Sequence, residues 1–248
     1  MRPNLLVAAI GALFAAISTS ADAAQTNVAV AANFTEPAKE IAALFKAKTG
    51  NEAVLSFGAS GNFFAQISHD APYQVFLSAD QDRPKAAVDQ GFAVPGSVFT
   101  YAIGKLVLWS KVDDVSDGEG ALKAGRFSKL SIANPAAAPY GTAAVEAMKA
   151  LGVYDAIQPK IVQGASIAQA FQFVDTRNAE LGFVALSQVS GVTAGTRWLV
   201  PQNLYTPIRQ DAALLKKGAD NEAAKAFLDF LKGPEARVII EKFGYALD

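Results

Sequence analysis

The feature that most constrains this chain is a repeated unit of apolar strand, small neutral loop and helix, which occurs four times. The four loops are residues 31–34, 58–62, 135–141 and 164–167, and none contains Lys or Arg. Strands that alternate with helices predict an α/β fold in which helices flank mostly parallel sheets. Because loops beyond the carboxyl ends of parallel strands share one edge, we expect these loops to lie together.

The chemistry of the four loops suits an anion. A helix start leaves backbone N–H groups without acceptors and carries a partial positive charge. Several such starts around one point can therefore hold a small oxyanion without a formal counter-charge. The candidate donors are Asn33, Ser60, Tyr140 and the N–H of Ile167, which follows Ser166. Taken singly, Asn33, Ser60 and Ser166 are equally typical of helix caps, and Tyr140 of packing.

The N-terminal sequence is typical of an exported protein. Arg2 precedes an apolar run at 5–17, and residues 21–23 have the small-x-small pattern of a cleavage site. We therefore predict a signal peptide over residues 1–23 and a mature periplasmic chain that starts at Ala24. No later run is long and apolar enough for a transmembrane helix.

Composition narrows the function classes further. The chain contains no Cys and a single His, which excludes disulfides and argues against a transition-metal cation site. Its 22 basic and 23 acidic residues give a net charge of −1, so it lacks the basic footprint of a nucleic-acid or membrane binder. We expect a monomer that uses no cofactor.

The position of the longest β-rich run suggests two domains. Residues 101–109 are long enough to leave one sheet and enter another, and strands near 198–200 and 206–213 lead back. We therefore predict that residues 24–102 and 206–248 form domain I and that residues 103–205 form domain II. Two of the four loops then come from each domain, which places the ligand in the cleft between them.

Six segments carry a resemblance to a known family along the whole mature chain: 28–33, 56–61, 75–80, 133–135, 181–184 and 230–234. Through them the chain is similar to the periplasmic molybdate-binding proteins of ABC importers, which have the type II periplasmic binding fold. The resemblance implies a binding protein and not an enzyme. It also implies that the chain captures molybdate or tungstate and delivers it to a membrane permease.

The resemblance also assigns site residues. Asn33 takes the place of a small polar donor, and Ser60 matches a binding serine. Tyr140 and Ile167 match positions that bind through the backbone N–H. Ala185 stands where many members have a tyrosine that closes the site, so this contact is weak here. We hypothesise that the Tyr140 hydroxyl replaces it by donating to the anion.

Two alternatives remain at this point. Another tetrahedral oxyanion, such as sulfate, would use the same donors. A periplasmic serine hydrolase would pair Ser60 with His69, the single histidine. The spacing of residues 58–62 differs by one residue from the G-x-S-x-G pattern of such enzymes, which argues against this reading.

Overall fold

The computed structural model describes residues 24–248, so the predicted signal peptide lies outside the described residues. Between residues 24 and 248 no helix is both long and apolar enough to cross a membrane. This part of the chain forms two five-stranded sheets with helices packed around them. The predicted two-part α/β architecture is therefore confirmed.

The first sheet contains the N-terminal strands and a late strand that returns to them. Its order is β2 (Glu52–Gly58), β1 (Gln25–Ala31), β3 (Val75–Leu77), β10 (Ile208–Leu214) and β4 (Phe99–Gly104). β1 runs parallel to both β2 and β3. β10 runs antiparallel to β3 and β4.

The second sheet repeats this arrangement. Its order is β7 (Ile161–Gly164), β6 (Leu130–Ala133), β8 (Leu181–Ala185), β5 (Leu106–Ser110) and β9 (Thr196–Leu199). β6 runs parallel to β7 and β8, whereas β5 runs antiparallel to β8 and β9. Each sheet is thus mixed and not mostly parallel as expected, because strands next to the crossovers pair in the opposite direction.

Ten α-helices surround the sheets in the described part of the chain: α1 (Thr35–Thr49), α2 (Ser60–Ser68), α3 (Asp82–Asp89), α4 (Gly118–Ala124), α5 (Pro139–Ala150), α6 (Tyr154–Ile157), α7 (Ile167–Asp175), α8 (Leu186–Val189), α9 (Glu222–Lys232) and α10 (Pro234–Lys242). Short 3-10 turns lie at Ala32–Phe34, Gln158–Lys160, Gln202–Leu204 and Lys216–Gly218. The apolar face of α1 shows why these segments are helical. Ile41 and Phe45, four residues apart on that face, are fully buried.

The chain passes between the sheets twice. The first crossover is Lys105, between β4 and β5, and the second is the segment between β9 and β10. β4 continues to Gly104, so the change of sheet falls two residues beyond the predicted boundary at residue 102. The exact boundaries of the two domains remain a prediction.

Candidate ligand-binding site

A small cavity lies where the four neutral loops meet. Its lining comes from both halves of the molecule, carries no charged side chain and is almost entirely buried. The lining residues are Ala31, Ala32, Asn33, Gly58, Ala59, Ser60, Ala79, Ala138, Pro139, Tyr140 and Ile167. The structure thus brings four of the five residues singled out in the sequence to one place.

Three helices begin at this cavity. Ser60 is the first residue of α2, Tyr140 the second of α5 and Ile167 the first of α7. The backbone N–H groups in a first helical turn have no acceptor within their own helix. Within residues 24–248, those of Ser60, Tyr140 and Ile167 make no hydrogen bond elsewhere either. Pro139 opens α5 and has no N–H, so Tyr140 supplies the first backbone donor of that helix.

The Ser60 hydroxyl is held in place by a neighbouring loop. Its Oγ accepts a hydrogen bond from the Ala79 N–H at 2.9 Å, and the residue is buried. The N-cap of α2 is Ala59, so the interpretation of Ser60 as a helix cap is wrong. Because the oxygen is the acceptor in this bond, the hydroxyl hydrogen is left over. It has no acceptor among residues 24–248, which makes Ser60 a buried donor beside the cavity.

Asn33 lies in the 3-10 turn that precedes α1, and it does not cap that helix, whose N-cap is Phe34. Its Nδ2 donates to Gln210 Oε1 at 2.8 Å and to the Tyr245 hydroxyl at 2.9 Å. These bonds use both hydrogens of the amide. The backbone carbonyl of Asn33 accepts hydrogen bonds from the hydroxyls of Tyr245 and Ser187, each at 2.8 Å. The side chain thus fixes the turn, and the backbone N–H of Asn33 is the donor left for a ligand.

The Tyr140 ring reaches from the cavity to the first crossover. Its hydroxyl accepts a hydrogen bond from Gln210 Nε2 at 3.4 Å. A Cβ on Gly104 would lie 2.1 Å from that hydroxyl, so a glycine is needed there to make room for it. Burial raises the pKa of Tyr140 well above its usual value, which keeps the phenol neutral. The hydroxyl thus lies beside Gly104 and Gln210, neither of which lines the cavity, so the backbone N–H is the donor that Tyr140 presents at the helix start.

The fourth loop is built as the sequence predicts, with one exception. Ser166 caps α7 by accepting from the Gln169 N–H at 3.4 Å, and Ile167 lines the cavity. Ala185, however, is not part of the lining. Its N–H donates to Gln188 Oε1 at 2.9 Å, and Gln188 Nε2 donates to the Ile167 carbonyl at 3.1 Å. Ala185 thus contacts the Ile167 loop indirectly, through the Gln188 side chain.

Comparison with known proteins agrees with this geometry. Residues 26–246 match the family described as bacterial extracellular solute-binding protein. The chain belongs to this family. Two relatives are molybdate-binding proteins called ModA: one from Rhodobacter capsulatus, 56% identical over 96% of this chain and 94% of the relative, and one from Azotobacter vinelandii, 53% identical over 98% and 97%.

A solved structure shows the same fold. The periplasmic molybdate-binding protein of Azotobacter vinelandii superimposes with a TM-score of 0.86 and 41% identity, over 90% of this chain and 99% of that chain. The two-domain periplasmic binding fold predicted from the sequence is therefore confirmed. As a member of the solute-binding family, the chain is a binding protein and not an enzyme.

The geometry around Ser60 also argues against hydrolysis by this solute-binding protein. His69 is exposed just past the C-terminal end of α2, whereas Ser60 begins that helix. The ring Nδ1 of His69 lies 2.8 Å from the Ala65 carbonyl oxygen, and Ser60 is bonded to Ala79. No cluster of three His, Cys, Asp or Glu side chains able to hold a metal ion occurs within residues 24–248.

Proposed function

We propose that this solute-binding protein captures molybdate or tungstate in the periplasm and delivers it to the membrane permease of an ABC importer. The observation that carries the proposal is the small, uncharged cavity bounded by four helix-start loops. The relatives named for molybdate binding, at 53% and 56% identity over nearly the whole chain, support the same ligand. The signal-like sequence of residues 1–23 supports export.

The donors around the cavity match the chemistry of a fully deprotonated oxyanion. Molybdate and tungstate are tetrahedral dianions whose oxygens only accept hydrogen bonds. We assign the backbone N–H groups of Asn33, Ser60, Tyr140 and Ile167 as donors, together with the Ser60 hydroxyl. Hydrogen bonds to a charged acceptor are stronger than neutral ones, and the absence of bulk water strengthens them further. Hydrogenphosphate fits less well, because its O–H would need an acceptor that this donor set lacks.

Sulfate is the closest competitor because it has the same charge and the same four acceptor oxygens. Discrimination then depends on size, since sulfate is smaller than molybdate, whereas tungstate is nearly isosteric with it. Backbone donors at helix starts cannot move independently toward a smaller anion, so sulfate would make longer and weaker hydrogen bonds. We therefore expect molybdate and tungstate to bind more tightly than sulfate.

The neutral character of the site fits a transport role. A receptor must release its ligand to the importer, and a buried Lys or Arg facing the dianion would oppose release. The two crossovers between the sheets offer a hinge about which the cleft can open and close. We propose that the protein works as a monomer without a cofactor.

The proposal is tested by thermal denaturation and calorimetric titration with molybdate, tungstate, sulfate and phosphate. A ligand that binds only the native state raises the melting temperature in proportion to the logarithm of its concentration. We expect clear shifts and measurable heats with molybdate and tungstate, and much smaller ones with sulfate and phosphate. A larger shift with sulfate, or none with either metal oxyanion, would refute the proposal.

A further inference from the structure

Besides the bonds from Ser187 to Asn33 and from Gln210 to Tyr140, two further hydrogen bonds join the halves of the molecule beside the cavity. The Gly61 N–H, in α2, donates to the Ala137 carbonyl at 2.9 Å. Nη2 of Arg83, in α3, donates to the Ala136 carbonyl at 3.1 Å. The two donors flank the first sheet, whereas both acceptors lie in the loop between β6 and α5 of the second. Arg83 lines an open cleft that shares Ala79 and Pro139 with the cavity, so its bond lies beside the ligand-binding site.

Arg83 is oriented for this contact by Asp80. The Arg83 guanidinium forms an ion pair with the Asp80 carboxylate through Nη1, and the backbone N–H of Arg83 donates to Asp80 Oδ1 at 2.9 Å. The two side chains are only 24% and 16% exposed. A planar guanidinium can hold a carboxylate with one nitrogen and a carbonyl with another. Asp80 thus leaves Nη2 of Arg83 free to reach across to Ala136.

Gly61 allows the two backbones to approach closely. A Cβ at this position would lie 3.0 Å from the Ala137 Cα and 3.1 Å from its carbonyl oxygen. The backbone of Gly61 is helical and has no positive φ, so its own conformation does not require glycine. Alanine would suit α2 by itself, and its Cβ would meet only the loop across the cleft and Nη2 of Arg83, at 3.1 Å.

We propose that Gly61 and Arg83, with the carbonyls of Ala136 and Ala137, form a latch that sets how long the cleft stays closed. Neither donor lines the cavity, so both act on the ligand through closure and not by contact. The inference rests on the proposed function, because molybdate is the ligand whose release it controls. It assigns Gly61 and Arg83 as positioning residues whose loss accelerates release and leaves association nearly unchanged.

The Arg83 contact is tested by stopped-flow measurement of molybdate association and release. Arg83→Ala removes one hydrogen bond across the cleft, and we expect release to become about five- to tenfold faster. Arg83→Lys retains the positive charge and the attraction to Asp80 but lacks the second nitrogen of the fork. We expect it to release molybdate nearly as fast as the alanine variant, with the association rate of the wild type.

The Gly61 contact is tested with Gly61→Ala, which should weaken molybdate binding without lowering the stability of the ligand-free protein. Gly61→Ala should leave the melting temperature of the ligand-free protein unchanged or raise it by up to about 3 °C, because alanine favours helix. The same variant should bind molybdate about tenfold more weakly, because the added methyl group meets the Ala137 backbone on closure. Gly191→Ala is the matched control, since a Cβ there has no neighbour within 4 Å, and it should change neither quantity.

The possible outcomes separate the latch from other roles. Wild-type affinity in Gly61→Ala, or slower association with unchanged release in Arg83→Ala, would overturn the latch.

If the wild type gives no heat with molybdate, the proposed function fails by itself. The latch is then tested with whichever anion of the panel gives the largest melting shift. The chain has no cysteine, so Gln90→Cys and Ala150→Cys can carry a fluorescent pair that reports closure with that anion. A closed fraction in Gly61→Ala equal to that of the wild type would reject the latch for that anion also.

Discussion

Replacing Ser60 with alanine is the sharpest test of the proposed site, because this side chain makes one hydrogen bond within the protein and is proposed to make a second one to the ligand. Its oxygen accepts from the Ala79 N–H at 2.9 Å, and its hydrogen has no acceptor in the described part of the chain. Ser60→Ala removes both groups at once. The structure therefore predicts a loss of stability in the free protein and a further, separate loss of affinity.

The magnitudes follow from the environment of each bond. The free protein should lose about 1–3 kcal/mol of stability, since the Ala79 N–H is left without its acceptor in a buried loop. The hydroxyl should contribute about 1–3 kcal/mol to binding, the range for a hydrogen bond to a charged partner. Affinity should then fall by roughly 5- to 150-fold. Urea unfolding of the free protein measures the first effect, and calorimetric titration with molybdate measures the second.

Ser131 offers a matched control. It is also a fully buried serine whose Oγ forms a bond to the backbone, donating to the Ala170 carbonyl at 3.0 Å. It does not line the cavity. Ser131→Ala should therefore lower stability and leave molybdate affinity unchanged. If Ser60→Ala also loses stability but binds as tightly as the wild type, Ser60 only positions the loop, and its assignment as a donor is refuted.

Three further predictions concern the surroundings of the site. Tyr140→Phe should reduce molybdate affinity less than threefold, because the hydroxyl lies beside Gly104 and Gln210 and outside the cavity lining, and it should reduce stability by about 1 kcal/mol through loss of the bond from Gln210. Gly141→Ala should lower the free energy of unfolding by about 2–4 kcal/mol, because its Cβ would lie 2.2 Å from the Ala133 carbonyl oxygen. Burial raises the pKa of Tyr245 to about 12. The folded state thus favours the neutral form of Tyr245, which contributes about 3 kcal/mol to the free energy of unfolding. This contribution is fully present below pH 10 and should be lost as the pH rises through 12.

Each of these predictions has its own measurement. Calorimetric titration and urea unfolding of Tyr140→Phe separate affinity from stability, and a tenfold loss of affinity would restore the hypothesis that its hydroxyl donates to the anion. Urea unfolding of Gly141→Ala is compared with Gly191→Ala, which has open space around the added methyl group. Urea unfolding between pH 8 and pH 12 tests the tyrosine prediction in the wild type. Stability that stays constant over this range would contradict it.

Local patterns were sufficient to predict the main elements and the convergence of the four loops. Apolar residues at positions 41, 44 and 45 and the glycine at position 50 predict a helix over residues 36–48, and the structure has α1 (Thr35–Thr49) there. The loops after β1, β2, β6 and β7 converge as expected. The polar, glycine-rich run 111–125 predicts surface loops, but the structure has α4 (Gly118–Ala124) within it. Gly118 and Gly120 lie within this helix and weaken its helical pattern in the sequence. Asp117 caps the helix by accepting from the Gly120 N–H at 3.0 Å, and Gly125 ends it with a φ of 60°.

The hydrogen-bond partners within the site could not be predicted in this way. Asn33 bonds to Gln210, which is 177 residues away, and only the return of β10 beside β3 brings the two together. Asn33 has the local sequence signature of a helix cap, with Glu36 three residues later, but tertiary contacts override that preference. No local sequence pattern singles out Gln188. Its side chain holds the Ile167 carbonyl, and this contact depends on how β8 and α7 are placed beside each other.

The polar side chains around the cavity mainly hold the loops in place. In the proposed site, the backbone N–H groups therefore bind the ligand. The Asn33 amide, the Ser60 oxygen and the Gln188 side chain all bond to protein groups. Backbone N–H groups fixed in this way cannot rotate to suit a different anion, so the spacing of the helix starts determines the size that fits. A substitution that leaves every donor in place but shifts one helix start should therefore alter selectivity between sulfate and molybdate. Conversely, a relative with different side chains at these positions can keep the same selectivity if its loops hold the same backbone geometry.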